Sequence, residues 1–164
     1  VASAIGAHHS ARARSNVWLT PPGITEALGP FDLDPCGHEG WPTAKELICP
    51  PRDGLTEPWH GRVWLNCPYR EIGAWLAKLA DHGDGIALTF ARTETAWFID
   101  HIWKKATGVK FLHGRIRFWH PEGYQARDNA GAPSVLAAYG PECARSLRDD
   151  TRIRGTYLPI RSTP

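Results

Sequence analysis

The 164-residue chain contains no methionine, and its four cysteines, at 36, 49, 67 and 143, form no CxxC pair. No disulfide framework is expected from such spacing. Cys36, His38 and Cys49 are zinc-competent residue types in one Pro-rich loop, yet no second close pair completes a tetrahedral set, so no metal is expected. No run approaches about 18 uninterrupted apolar residues, which excludes a membrane-spanning helix on sequence grounds. A basic segment leading into a short apolar one is also missing, and the expectation is a soluble, intracellular chain. Charge of one sign is not in excess: 19 Lys plus Arg face 17 Asp plus Glu, a formal +2 that excludes a histone-like protein. With Val at position 1 and no Met anywhere, residue 1 is not expected to be a translation start.

What is present describes a globular protein. Hydrophobic residues make up 42%, charged residues 22%, and there are eight Trp. A chain of this length is the size of one ordinary domain and buries roughly 68–70% of its unfolded surface. The first sixteen residues are mostly Ala, Ser, His and Arg, too poor in large apolar groups to offset the entropy of ordering, and read as a flexible leader. One domain is expected over 17–160, with 161–164 as a tail. Arg12 and Arg14 near the start, and Arg145, Arg148, Arg152, Arg154 and Arg161 near the end, meet phosphate or stay solvated.

The order of elements follows from periodicity and breakers. Pro22 to Leu28 fits a short helix with proline in its first turn, stopped by Gly29 and Pro30. Phe31 to Asp34 alternates like a strand, whereas 41–58 holds four prolines and no period. Arg62 to Asn66 reads as a buried strand. Ile72, Trp75, Leu76 and Leu79 recur at helical spacing, closed by His82 and Gly83. A strand over 85–90 then precedes a helix from Thr93, as N-cap, to Ala106, with Trp97, Phe98 and Ile102 inward and Gly108 as the stop. Val109–Leu112 and Arg115–Trp119 look like two strands of a hairpin around His113-Gly114. Another strand at 134–139, a loop or short helix over 140–155, and an edge strand at 156–160 complete the chain. Strands alternating with helices predict an α/β sheet, mostly parallel, with a C-terminal antiparallel hairpin. In such sheets ligands bind beyond the carboxyl ends of the strands, where both Asp34-Pro35 and Asn66-Cys-Pro-Tyr69 fall.

Asn66 to Tyr69 is the most informative segment. An Asn ending an apolar strand, followed by a Pro-stiffened turn and an aromatic ring, presents a side-chain carbonyl, a rigid backbone carbonyl and a flat stacking face together. An exocyclic amino group on a planar ring needs that set: it donates two hydrogens while the ring stacks. A strand followed by an ordinary β-turn is the alternative reading.

The segment resembles the [Asp/Asn/Ser]-Pro-Pro-[Tyr/Phe/Trp] motif of amino-group methyltransferases, with Cys67 where the first proline usually stands. Together with Trp18-Leu-Thr-Pro-Pro22, Phe31-Asp-Leu-Asp-Pro-Cys36, Asp53-Gly-Leu55, Trp59 to Asn66, and His113-Gly-Arg-Ile-Arg-Phe118, it is similar to the small phage-type DNA N6-adenine methyltransferases, phage Dam, from about residue 18 to 140. The resemblance implies a reduced Rossmann-like methyltransferase fold, S-adenosylmethionine as cofactor, and DNA as partner. It implies catalytic roles for Asn66, Cys67, Pro68 and Tyr69. Thr20 and Pro21 match a segment near the methionine end of the cofactor. Asp34, Pro35, Cys36 and Gly37, with Gly40, resemble a degraded cofactor loop, and Asp53 an acidic residue near cofactor or adenine. A turn aspartate bonding its own backbone is the alternative at Asp34 and Asp53. Glu39, Glu46 and Glu57 are the candidates for the ribose-binding acid. Arg70 and Arg92, at strand ends, and Arg115 and Arg117, alternating on one strand face, are candidate phosphate contacts. The expected setting is the cytoplasm of a bacterial cell or phage-infected host, as monomer or homodimer. The rival substrates are a protein glutamine, RNA adenine and cytosine N4; the rival class is a non-catalytic nucleic-acid-binding module with a degenerate pocket.

Overall fold

The computed structural model describes residues 17–127 and 130–161. The leader expected over 1–16 lies outside them. Seven strands form one sheet in the order β2-β1-β3-β4-β6-β5-β7. These are β1 (Leu33–Asp34), β2 (Glu46–Leu47), β3 (Val63–Leu65), β4 (Gly85–Phe90), β5 (Gly108–Leu112), β6 (Ser134–Tyr139) and β7 (Gly155–Pro159). Helices α1 (Pro22–Leu28), α2 (Ile72–His82), α3 (Ala96–Phe98, running into a π-helical turn at Ile99–Trp103) and α4 (Pro141–Asp149) cover it.

Strand alternation divides the core into two layers. Val63, Leu65, Ala87, Val135, Ala137 and Tyr139 face one side, against Trp75, Leu76 and Leu79 of α2 and against Phe98 and Ile102. Trp64, Ile86, Leu88, Leu136 and Ala138 face the other, against Ile24 and Leu28 of α1 and Cys143, Ala144 and Leu147 of α4. Strands buried on both faces explain the near-continuous apolar runs of β3, β4 and β6. Helix α2 ends where Gly83 turns left-handed at φ 79° and its N–H closes on the Leu79 carbonyl at 2.9 Å.

Three expectations are corrected. The sheet is less parallel than anticipated: β2, β1, β3 and β4 pair in parallel, but β6 pairs antiparallel with β4 and β5, and β7 antiparallel with β5. No 109–119 hairpin forms, because both edges of β5 are taken by β6 and β7. The chain leaves the sheet at His113, and Trp119 instead bridges Leu19 and Gln125. The helix expected from Thr93 starts at Ala96 after Thr95, and Gly108 opens β5 rather than stopping a helix. A Cβ there would come within 2.3 Å of the Tyr157 hydroxyl, so glycine is required by the β7 contact.

Candidate active site

Parallel pairing brings the carboxyl ends of β1, β3 and β4 to one edge. From β1 the chain moves outward to β2, then returns across β1 to β3 and on to β4. The connections diverge between β1 and β3, and the crevice outside their carboxyl ends is where open α/β sheets hold ligands. Asp34-Pro35 leaves one side of that crevice and Asn66-Cys67 the other.

Asn66 is held from the α1 side. Its Nδ2 donates to the Trp18 carbonyl at 2.9 Å and to Thr20 Oγ1 at 3.1 Å. A main-chain carbonyl only accepts, so the nitrogen must face Trp18 and Oδ1 must face away. Among the described residues no hydrogen bond reaches Oδ1. Thr20, 2% exposed, also accepts from the indole N–H of fully buried Trp64 at 3.3 Å, and its carbonyl accepts from Trp41 Nε1 at 2.9 Å. The Thr20 hydroxyl is thus engaged with Asn66 and Trp64 beneath the crevice.

Cys67 alternates to the opposite face. Its side chain is buried beside Leu65, Trp75 and Leu76, and burial pushes the thiol up to about 12, keeping it protonated and inert. Pro68 then leads into a single 3₁₀ turn at Tyr69–Glu71. The Tyr69 phenol oxygen accepts the Phe90 amide at 2.6 Å and the Thr89 hydroxyl at 3.4 Å. Its ring lies on Phe90 at 4.5 Å and 15°, and the residue is 43% exposed. One ring face is backed and the phenol is fixed, so the tyrosine is a rigid platform. Burial raises its hydroxyl to about 12, so it stays neutral.

Asp34 is 4% exposed, and both carboxylate oxygens are used internally: Oδ1 accepts the Cys36 amide at 2.9 Å and Oδ2 the Thr43 hydroxyl. These bonds favour the anion but burial outweighs them, raising the carboxyl to about 6. Among the described residues no cation balances that carboxylate. Cys36 lies close to the same core, its thiol raised far upward by burial. Gly37 is required because β2 passes over it: a Cβ would meet Leu47 Cβ at 2.7 Å.

Asp53 makes the predicted turn bond, its Oδ1 accepting the Leu55 amide at 2.9 Å. The loop it opens lies directly on Pro35, since a Cβ on Gly54 would come within 2.0 Å of the Pro35 carbonyl. Lys78 of α2 fixes that loop, donating to the carbonyls of Gly54 (3.1 Å), Leu55 (2.8 Å) and Glu57 (2.5 Å) above the Trp59 ring. Asp53, exposed and 19 residues after Asp34, thus joins the loop that leaves β1 at Asp34-Pro35. Glu46 and Glu57 are occupied by Arg52, and Glu46 also by His60. Glu39 is exposed.

Arg70 and Arg92 are exposed beside Tyr69, and neither guanidinium is hydrogen-bonded or ion-paired among the described residues. Arg115 and Arg117 do not share a strand face. Arg117 donates Nε and Nη2 to the Ala126 carbonyl at 3.2 and 3.1 Å, and Arg115 reaches the Ala130 carbonyl at 3.4 Å. Both hold the 113–133 segment together. Cys36, His38 and Cys49 form no metal-holding cluster among the described residues, and no described helix is long and apolar enough to cross a membrane. Sequence reading missed two participants. Lys78 carries no local signal, since its three carbonyl partners lie 21 to 24 residues earlier in the chain. Ser134, the register partner of Phe90, buries a hydroxyl with no partner among the described residues at this same edge, and only long-range pairing reveals it.

A buried carboxylate and an outward amide oxygen thus flank the switch point of the sheet, the edge at which open α/β sheets hold ligands. No curated protein and no solved structure matches the chain. A family model does: that of DNA N-6-adenine-methyltransferase (Dam) matches residues 8–151. The chain belongs to this family of DNA methyltransferases.

Proposed function

We propose that the protein transfers a methyl group from S-adenosylmethionine to the N6 amine of an adenine flipped out of DNA. The observation that carries this reading is the orientation of Asn66: Trp18 and Thr20 claim its amide nitrogen, leaving Oδ1 as an acceptor at the crevice.

The crevice fits a cationic nucleoside cofactor. Its buried Asp34 has no compensating cation among the described residues, and Pro35, Gly37 and Asp53 converge on one side through the Gly54 contact. When bound, the sulfonium supplies an already activated methyl group. Asp34 would offset its charge, the Pro35–Gly37 backbone and Pro21 would shape its seat, and Asp53 would take the ribose. Thr20, assigned to the cofactor by the resemblance, acts in this reading on Asn66 instead. The strand order, with its switch point at β1 and β3, supports the Rossmann-like reading of the sheet.

In adenine the N6 lone pair is delocalised into the ring, which makes the nitrogen a poor nucleophile. Asn66 Oδ1 and the Cys67 carbonyl accept its two hydrogens, favouring a pyramidal nitrogen and stabilising the positive charge that develops there. The acceptor at position 67 is main chain, so it survives the loss of proline. Tyr69, held by Phe90, replaces the stacking that the base loses on leaving the duplex. Arg70 and Arg92 would neutralise phosphates beside the opening. The reaction needs no general base, since the proton leaves an N6 already made cationic, and alignment does much of the work. The setting proposed is the cytoplasm of a bacterial or phage-infected cell, as monomer or homodimer.

The test is tritiated methyl transfer into mixed-sequence DNA, followed by nucleoside separation, with RNA and protein as parallel acceptors and calorimetric titration of the cofactor. Label in N6-methyladenine, lost in Asn66→Ala while cofactor affinity holds, is the expected result. Label in cytosine, RNA or protein overturns the substrate assignment, and loss of cofactor affinity in Asn66→Ala overturns the assignment of the pocket.

A further inference from the structure

Between β5 and β6 the described residues of 113–127 and 130–133 belong to no strand of the sheet. This excursion is closed on itself: the Ala126 amide donates to the Phe118 carbonyl at 2.8 Å and the Ala130 amide to Ile116 at 2.8 Å. It is also docked at the crevice. Leu19 and Trp119 exchange both backbone hydrogen bonds, at 2.9 and 3.0 Å, and Trp119 contacts Trp41 with ring centres 5.7 Å apart. Leu19 lies between the two residues that orient Asn66, so this arm and the acceptor amide are tied to one short stretch of chain.

At its tip the arm repeats the construction of Tyr69. The His120 amide donates to the Tyr124 carbonyl at 2.8 Å, and the Gly123 amide to His120 at 2.9 Å with Gly123 at φ 85°. That tight turn stacks the Tyr124 ring on His120 at 4.7 Å and 13°, while Tyr124 remains 51% exposed. Among the described residues six large hydrophobics are exposed, and four of them, Val17, Trp18, Tyr69 and Tyr124, lie on the segments meeting at this crevice. Exposed large apolar groups on segments joined in this way suit a binding surface. Arg127, on the same arm, is exposed with no ion pair among the described residues, and Glu122, 3.7 Å from His120, is the arm's one acid among them. Backed aromatic rings beside arginines that are unpaired among the described residues suit a nucleic acid, whose bases stack on π faces and whose phosphates take the guanidinium.

We infer that Tyr124, braced by His120, is a second base-stacking platform that engages a DNA base neighbouring the target. This rests on the reading of the chain as a DNA methyltransferase and names a determinant of its substrate binding. A base displaced beside the flipped adenine stacks on the outer face of Tyr124, and Arg127 neutralises an adjacent phosphate.

The experiment compares the wild type with Tyr124→Leu, which keeps apolar bulk but removes the π face, and with Tyr124→Phe, which keeps it. Steady-state methyl transfer into mixed-sequence DNA is measured alongside anisotropy of the same DNA carrying a fluorophore and calorimetric S-adenosylmethionine binding. Tyr124→Leu is expected to raise KM and Kd for DNA by at least roughly fivefold. Cofactor affinity should be unchanged, and Tyr124→Phe should stay near wild type. A wild type active on DNA with Tyr124→Leu equally active overturns the platform alone, as does a Tyr124→Phe variant as impaired as Tyr124→Leu. A wild type that labels no DNA overturns the underlying methyltransferase reading.

Discussion

Replacing Thr20 by Val tests whether the hydroxyl beneath the crevice sets the acceptor. Valine has nearly the same shape but accepts nothing, and two donors lose their partner: Trp64 Nε1 and one hydrogen of Asn66 Nδ2. The indole is fully buried, so its orphaned N–H costs about 1–3 kcal/mol. For a chain of this size that lowers Tm by roughly 2–12 °C. Asn66 keeps its bond to the Trp18 carbonyl but loses the second anchor, so its amide plane is free to tilt. Misplacement on the order of 1 Å at a reacting group reduces turnover by about 100-fold, and kcat is expected to fall roughly 10- to 100-fold. Cofactor Kd should move by less than about twofold, since no interaction with the cofactor is removed. Thr20→Ser restores the acceptor and should recover most of the turnover. The assays are single-turnover methyl transfer, thermal melting and calorimetric titration. An unchanged kcat in Thr20→Val, or a Thr20→Ser variant as slow as Thr20→Val, refutes the reasoning.

Asp34 predicts a pH dependence. Its folded carboxyl is raised from 3.8 to about 6, so between those values the folded state holds a proton that the unfolded state has released. That group's contribution to stability therefore falls as pH rises from about 4 to 6, by about 3 kcal/mol across that interval. Urea unfolding of wild type minus Asp34→Asn should show the slope, and a pH-independent difference refutes it. Cofactor binding should release protons below about pH 6 and tighten as pH rises through that value, because a cation favours the ionised carboxylate; titration in buffers of different ionisation enthalpy measures this. Lys78→Met frees three carbonyls of the Asp53 loop and should weaken cofactor binding roughly 5- to 30-fold, while an unchanged Kd would separate that loop from the cofactor. Cys67→Pro should raise kcat with cofactor Kd constant, since the thiol faces the core and the acceptor is main chain; steady-state kinetics showing a fall in kcat would refute a role for turn stiffness.

Local pattern carried the parts of the fold whose signals are local. The spacing of Ile72, Trp75, Leu76 and Leu79 gave α2, and Gly83 gave its end. Apolar runs gave β3, β4 and β6 because those strands are buried on both faces. Strand β2 was invisible: two residues among prolines become a strand only by pairing with β1, Leu33 opposite Glu46. The alternation of Arg115 to Phe118 suggested a strand, but sheet membership depends on a free edge, and β7, which begins 37 residues after Phe118, occupies it. The site divides in the same way. Asn66 and Tyr69 were legible as a motif, whereas the use of Thr20 to orient Asn66 spans 46 residues and has no local signature. Lys78 and Ser134 act through contacts of the same long-range kind.

The stretch that orients Asn66 is a strap, not a layer of the sheet: Trp18 to Thr20 crosses the edge before α1 begins, pinned by Trp41, Trp64 and Trp119. Opening such a segment exposes little of the core, so its free energy is far below that of global unfolding. On the proposed role of Asn66, the protein can therefore be fully folded and catalytically disarmed at once, its sheet intact while the amide of Asn66 is unaimed. Amide exchange at Leu19 and Trp119, whose N–H groups close the strap, would report this disarmed state directly, and conditions that speed their exchange would slow turnover before any loss of secondary structure.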